Sequence, residues 1–204
     1  HYNVYLDIDR AHKTINGHTE ITGHATVSQI AVHQKFLNIE AVEADGKSVG
    51  FTVDDAAECV HIDLPEAGDT TLAITYAAKL TDTMMGIYPS YYNVDGQRKE
   101  LIGTQFETTA ARQAFPGIDE PEAKATFDLA VKFDEQPGET IIANMPEVKV
   151  ENGVHYFDTT VKMATYLVAF AFGDLQKKLT HTKSGVEIGV FATKAHAANE
   201  LDFA

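Results

Sequence analysis

Gln105 and Glu107 stand two residues apart with Phe106 between them. If the run from Lys99 to Glu107 is a strand, both polar side chains point to one face and Phe106 to the other. Taken alone, the pair reads as an ordinary polar strand end. Glu107 with Glu120 offers the two carboxylates that a glycosidase uses as acid and nucleophile, but an acidic chain holds many such pairs and the sequence sets no separation. The histidines raise the question of a metal. His12, His18 and His24 recur six apart, which on an unbroken strand places them on one face. Asn16-Gly17 interrupts the first interval, and spacing alone supplies no supporting partners, so they read as exposed strand histidines. Asp7 with Asp9, and Asp54 with Asp55, lack the dense oxygen-ligand loop of a calcium site and read as solvated carboxylates. Cys59 is the only cysteine, so no intrachain disulfide forms and a thiolate zinc site is excluded.

Short alternating runs separated by turn residues must position these groups, the pattern of successive β-hairpins. Tyr2 to Asp9 alternates as a half-buried strand. Asn16-Gly17 is expected to turn the chain from the region of Lys13 into a return strand through Ile21, Ala25 and Val27. Asp45-Gly46 is expected to join Gln34–Val42 to Gly50–Val53. Cys59–Leu64 and Thr70–Leu80 follow as strands. Residues 81–98 look looser, and Tyr88, Tyr91 and Tyr92 there form either a loop capping its own core or a contact surface. Asp95-Gly96 turns that segment into the strand ending at Glu107. Thr109–Ala114 has room for one or two helical turns, ended by Phe115-Pro116-Gly117. Thr126–Phe133 and Thr140–Asn144 then alternate. Asn152-Gly153 joins Val148–Val150 to His155–Phe157. Tyr166–Phe172 is apolar enough for a central strand, and Ser184-Gly185 joins Lys178–Thr182 to Val186–Phe191. The whole reads as an all-β, multi-sheet antiparallel β-sandwich.

The 204 residues suit one domain with a substantial core. With 16 Lys and Arg against 30 Asp and Glu, the net charge of −14 argues against nucleic acid. The longest apolar run falls far short of the ~20 residues that span a bilayer, so no membrane partner is expected. Sparse cysteine favours the cytoplasm.

The order Gln105-Phe106-Glu107, Ala111-Arg112, Phe115-Pro116, Asp119-Glu120-Pro121, Lys124-Ala125 and Phe127 resembles the N-terminal domain of the M1 family of zinc aminopeptidases, the aminopeptidase N group. Asn144-Met145-Pro146, Lys162 to Phe170 and the opening Tyr2 to Ile8 resemble the same family, so the likeness covers nearly the whole chain. Gly117 departs from it, since many members carry cysteine there, without a catalytic role. The resemblance implies a saddle-like β domain over residues 1–193, with 194–204 leading to a catalytic domain. It implies that Gln105 and Glu107 help hold the free α-amine of a peptide substrate. Arg112, Asp119 and Glu120 would support the loop, through a buried ion pair. The family binds its zinc through His-Glu-x-x-His and a further Glu in the catalytic domain. Neither that motif nor the family's Gly-x-Met-Glu-Asn occurs in this chain. The parent enzyme is therefore expected to carry zinc, and this chain alone to be inactive. The alternative is a free-standing all-β binding module without catalysis.

Overall fold

The computed structural model describes residues 1–202. In chain order its strands are β1 (Tyr2–Asp9), β2 (Thr14–Ala25), β3 (Gln29–His33), β4 (Asn38–Ala44), β5 (Lys47–Ser48), β6 (Phe51–Asp54), β7 (Cys59–Asp63), β8 (Gly68–Lys79) and β9 (Gly86–Val94). The chain continues with β10 (Gln97–Gln105), β11 (Phe127–Phe133), β12 (Thr140–Ala143), β13 (Glu147–Glu151), β14 (Val154–Phe157), β15 (Phe170–Gly173), β16 (Leu175–His181) and β17 (Glu187–Thr193). Among the described residues the helical elements are three short 3-10 turns, at Ala111–Gln113, Thr165–Leu167 and Ala198–Asp202.

Eight strands form one sheet in the order β13-β14-β11-β1-β2-β8-β4-β5. Strict alternation along β1 and β11 sends Tyr2, Val4, Leu6, Ile8, Phe127, Leu129, Val131 and Phe133 into the core. A four-stranded sheet (β12-β15-β10-β9) and a three-stranded sheet (β3-β7-β6) share that core through Ile102, Phe172, Val32 and Ile62. Phe133 stacks on Phe172 with ring centroids 4.1 Å apart, a direct contact between the large sheet and the four-stranded one. The β16–β17 ribbon pairs only with itself among the described residues, and its outer part is exposed.

The expected all-β sandwich is thus present, with corrections to its pairing, of which the first concerns β1. β1 runs parallel to β11, with Tyr2 opposite Phe127 and Ile8 opposite Phe133. Strands this far apart in sequence are joined by long connections, and no hairpin rule fixes their direction.

Asn16-Gly17 is not a turn. Both residues lie within β2, and the chain reverses at residues 10–13. There Asp9 accepts the His12 N–H at 2.9 Å, and Lys13 adopts a φ of 55°. Gly17 serves a different need: a Cβ on it would lie 2.1 Å from Cζ of the buried Tyr76 on neighbouring β8. Asp45-Gly46 does turn, with φ of 50° and 74°, but into the short β5, while Phe51–Asp54 leaves for the three-stranded sheet. Residues 86–94, expected to be loose, form the edge strand β9, paired with β10 through the Asp95-Gly96 turn. Tyr91 is exposed there with the Arg98 guanidinium over its ring, while Tyr88 and Tyr92 are half-buried. The central strand expected at 166–172 narrows to β15, because Thr165–Leu167 is a 3-10 turn. The turns at Asn152-Gly153 and Ser184-Gly185 stand as read. Phe203 and Ala204, the end of the expected 194–204 connection, lie outside the described residues.

Candidate functional site

β10 ends at Gln105, two residues short of the expected Glu107. Phe106 is 2% exposed and Glu107 opens a turn, so the three residues no longer alternate as one strand. Gln105 and Glu107 are exposed and Phe106 is buried in the core, although the strand that was to set their common face stops at Gln105. The Glu107 N–H donates to Gln105 Oε1 at 3.4 Å, which brings the two residues together at the strand end.

Phe106 fixes the position of both. Its ring meets Phe115 edge-on at 6.1 Å, Phe115 meets Phe127 at 6.4 Å, and Phe127 stacks on Tyr2 at 4.9 Å. Burying a phenylalanine contributes ~1.5–3 kcal/mol, and each aromatic pair adds ~0.5–1.5 kcal/mol. The turn after Glu107 is closed by the Ala110 N–H, which donates to the Phe106 carbonyl at 2.9 Å. The short Ala-rich run then makes the single 3-10 turn at Ala111–Gln113, and Pro116 prevents its extension.

The far side of the loop is locked by charge. Arg112 Nε donates to Asp119 Oδ2 at 3.0 Å, and Nη2 donates to the Asp119 carbonyl at 3.0 Å. Asp119, 1% exposed, also accepts the Arg112 backbone N–H at 3.2 Å and the Thr165 hydroxyl at 2.6 Å. Arg112 Nη1 reaches Glu58 at 3.1 Å, and Lys35 pairs with the same carboxylate. Lys35 above all holds the Glu58 carboxyl below its usual range; burial opposes it, and Arg112 adds a smaller lowering. The expected ion pair is therefore Arg112 with Asp119. Glu120 stands outside it, exposed, 3.4 Å from His33 Nε2.

Several supporting residues escaped the sequence reading. His33 exchanges backbone hydrogen bonds with Gly117 at 2.7 and 3.1 Å, and its Nδ1 accepts the Asp119 N–H at 3.1 Å. The Ile118 N–H donates to the Tyr2 hydroxyl at 2.9 Å. Burial, and in smaller part the nearby Asp119, raise the Tyr2 phenol, partly offset by that N–H. Gly117 leaves no room beside the same ring: a Cβ there would lie 2.9 Å from Tyr2 Cε1. Nothing local marks His33 or Glu58, which come from β3 and the turn before β7. Thr165 did lie in a segment carrying the family resemblance.

The remaining candidates stay apart. His12 pairs with Asp9, His18 with Thr75 and His24 with Asp69. Among the described residues no group of three or more His, Cys, Asp or Glu is placed to hold a metal ion. These side chains do not fit a zinc site. Among the described residues, too, no helix is long and apolar enough to cross a membrane.

Comparison with known proteins shows the family. Residues 1–167 match the peptidase M1 N-terminal domain family. The chain is 59% identical over 203 residues to Aminopeptidase N of Lactobacillus delbrueckii subsp. lactis, covering 100% of this chain and 24% of that protein. It is 54% identical over 202 residues to Aminopeptidase N of Lactococcus lactis subsp. cremoris, covering 99% and 24%. Against Endoplasmic reticulum aminopeptidase 1 of Rattus norvegicus it is 37% identical over 224 residues, covering 100% and 24%. The chain thus spans about a quarter of the length of the curated relatives it matches. With its family match running from the first residue of β1 through the locked loop to Thr165 and Leu167, the chain belongs to the peptidase M1 N-terminal domain family.

Proposed function

We infer that this chain is the N-terminal domain of a zinc-dependent aminopeptidase, which removes N-terminal residues from peptides. In this reading it supplies a wall of the substrate cleft, with Gln105 and Glu107 holding the peptide's α-amine. The observation that carries the reading is the match of the entire chain to a quarter of Aminopeptidase N. The geometry of the strand end supports the site. A carboxylate and an amide oxygen accept charge-assisted hydrogen bonds from an ammonium, and the buried Phe106 keeps both acceptors from drifting. Fixing the amine selects which peptide bond meets the catalytic group. Zinc would polarise the scissile carbonyl and activate water. Since the described residues do not fit such a site, we assign its ligands to the remaining three quarters or so of the parent, with residues 1–193 as this domain and 194–204 as the connection. The single Cys59 supports a cytoplasmic setting.

The test uses the full-length parent with a peptide and its N-acetylated form. Release of the first residue is expected from the free peptide only, with loss on chelation and recovery on adding zinc. Equal cleavage of both peptides would sink the amine-reading role, and no cleavage of either would favour a binding module.

A further inference from the structure

The outer face of the large sheet, turned away from the core, carries a row of side chains well apart from Gln105 and Glu107 in the fold. Across three neighbouring strands stand Tyr5 on β1, Ala130 on β11 and Tyr156 on β14, each opposite the next. Each is half-buried between two buried neighbours on its own strand, so all three side chains share the outward face. Ala130 is thus a low floor between two aromatic walls. Strand spacing sets the backbones of the walls about 9.5 Å apart, and a flat group in contact with a ring on either side needs ~7–8 Å. The slot therefore has room for one planar group. Burial, and then Asp7, raise the Tyr5 phenol; Lys132 lowers it, and Tyr156 adds a smaller raise, which puts the two phenols within electrostatic reach of each other.

The two ends of the slot differ. At one end Lys132 Nζ donates to Asp7 Oδ2 at 2.8 Å, an ion pair that bounds it. At the other the adjoining row is Glu20, Asn3 and Asp128. The Asn3 carboxamide donates to Glu20 at 3.0 Å and the Thr159 hydroxyl to Asp128 at 2.5 Å, which hold both carboxylates in place. Asp158 lines the same cavity, of about 580 Å³. Lys149 offsets part of this negative charge, as does His1, 3.4 Å from Asp128, when it is protonated. Lys149 also shows what suits an aromatic wall here: its ammonium sits over the Tyr156 ring, 4.4 Å from the centroid.

We propose that this slot binds the guanidinium of an arginine side chain on a partner polypeptide. A guanidinium is flat enough to stack between two tyrosines, its charge is drawn to Glu20, Asp128 and Asp158, and its forked donors match a carboxylate. An ammonium has no flat face to fill the slot, and a neutral aromatic ring leaves the carboxylates unanswered. The cavity far exceeds a guanidinium in volume, so residues on either side of the arginine find room, which favours a peptide as occupant. A second copy of this chain is disfavoured by a charge of −14 on each. The proposal stands apart from the functional reading above and needs no catalysis.

The experiment is calorimetric titration of the full-length parent with acetyl-Ala-Arg-Ala-amide, whose blocked amine keeps it from the Gln105 and Glu107 site. Saturable binding is expected. The citrulline analogue, equally flat but uncharged, and the lysine analogue, charged but not flat, should each bind at least ~10-fold more weakly. Ala130→Leu fills the floor and keeps both rings, while Asp128→Asn removes a charge and keeps the acceptor for Thr159. Both should weaken the arginine peptide by ~10-fold and leave turnover of a free-amine peptide unchanged. Tyr5→Phe, which retains the ring, should bind as the parent does. Absence of binding, equal affinity for the citrulline peptide, or full affinity in both the Ala130 and Asp128 variants would overturn the proposal. The probe carries no free amine, so failure of the functional reading shows in the peptide cleavage assay and failure of this proposal in the titration.

Discussion

In the proposed site Glu107 would offer a carboxylate and Gln105 an amide dipole, and that difference sets what each would contribute to holding an ammonium. In the full-length parent, Glu107→Ala should cost ~1.5–3 kcal/mol of binding, roughly tenfold to a hundredfold in kcat/KM, with zinc content unchanged. Gln105→Ala should cost less. Both losses should shrink on substrates whose α-amine is blocked. Steady-state kinetics on matched free and blocked peptides reads the difference, and equal losses on both would reassign Glu107 to loop support. The Arg112–Asp119 pair makes a contrasting prediction. Asp119→Ala leaves a buried guanidinium without its main partner and orphans the Thr165 hydroxyl. It should destabilise the fold by ~3–5 kcal/mol, measured by denaturant unfolding.

At the scale of the element, β2 shows how a local signal is overruled. Asn-Gly is a strong hairpin dipeptide, yet the Tyr76 ring occupies the space beside Gly17 and needs a residue without a side chain within the strand. Gly17→Ala should therefore destabilise by ~1–3 kcal/mol or more through overpacking, and thermal or chemical denaturation will show it. The alternating strands and four of the dipeptide turns were legible, because period and turn chemistry are local. The parallel β1–β11 pairing, the exit of Phe51–Asp54 to another sheet and the partners His33 and Glu58 were not, because long-range packing decides them. Gln105 and Glu107 were legible as an exposed pair on either side of a core phenylalanine; the end of β10 at Gln105 was not. A clasp at the base of the ribbon carries a pH prediction. Lys194 first, and then Lys99, lower the Asp174 carboxyl below its usual range. The carboxylate thus stabilises the fold above the unfolded-state value, and the contribution disappears as pH falls through the lower folded-state value. Asp174→Asn should lose stability at neutral pH, and the deficit should vanish in acid below the ordinary carboxylate range, as read by urea midpoints across pH.

For the molecule as a whole, β1 is the centre of the largest sheet. Removing Tyr2–Asp9 would separate β13-β14-β11 from β2-β8-β4-β5 and take four buried side chains from the core. A chain lacking those residues should show no cooperative unfolding transition by circular dichroism, whereas a retained transition would mean that the two halves can close without β1. That central position also sets an order of events at the ribosome. β1 is made just before β2 and close to it in sequence, but its other neighbour is complete only when synthesis has reached Phe133. Until then one edge of β1 is an unfilled row of backbone donors and acceptors, open to any nascent or unfolded chain nearby. Between the translation of Asp9 and that of Phe133, pairing with β11 is thus not yet there to protect that edge.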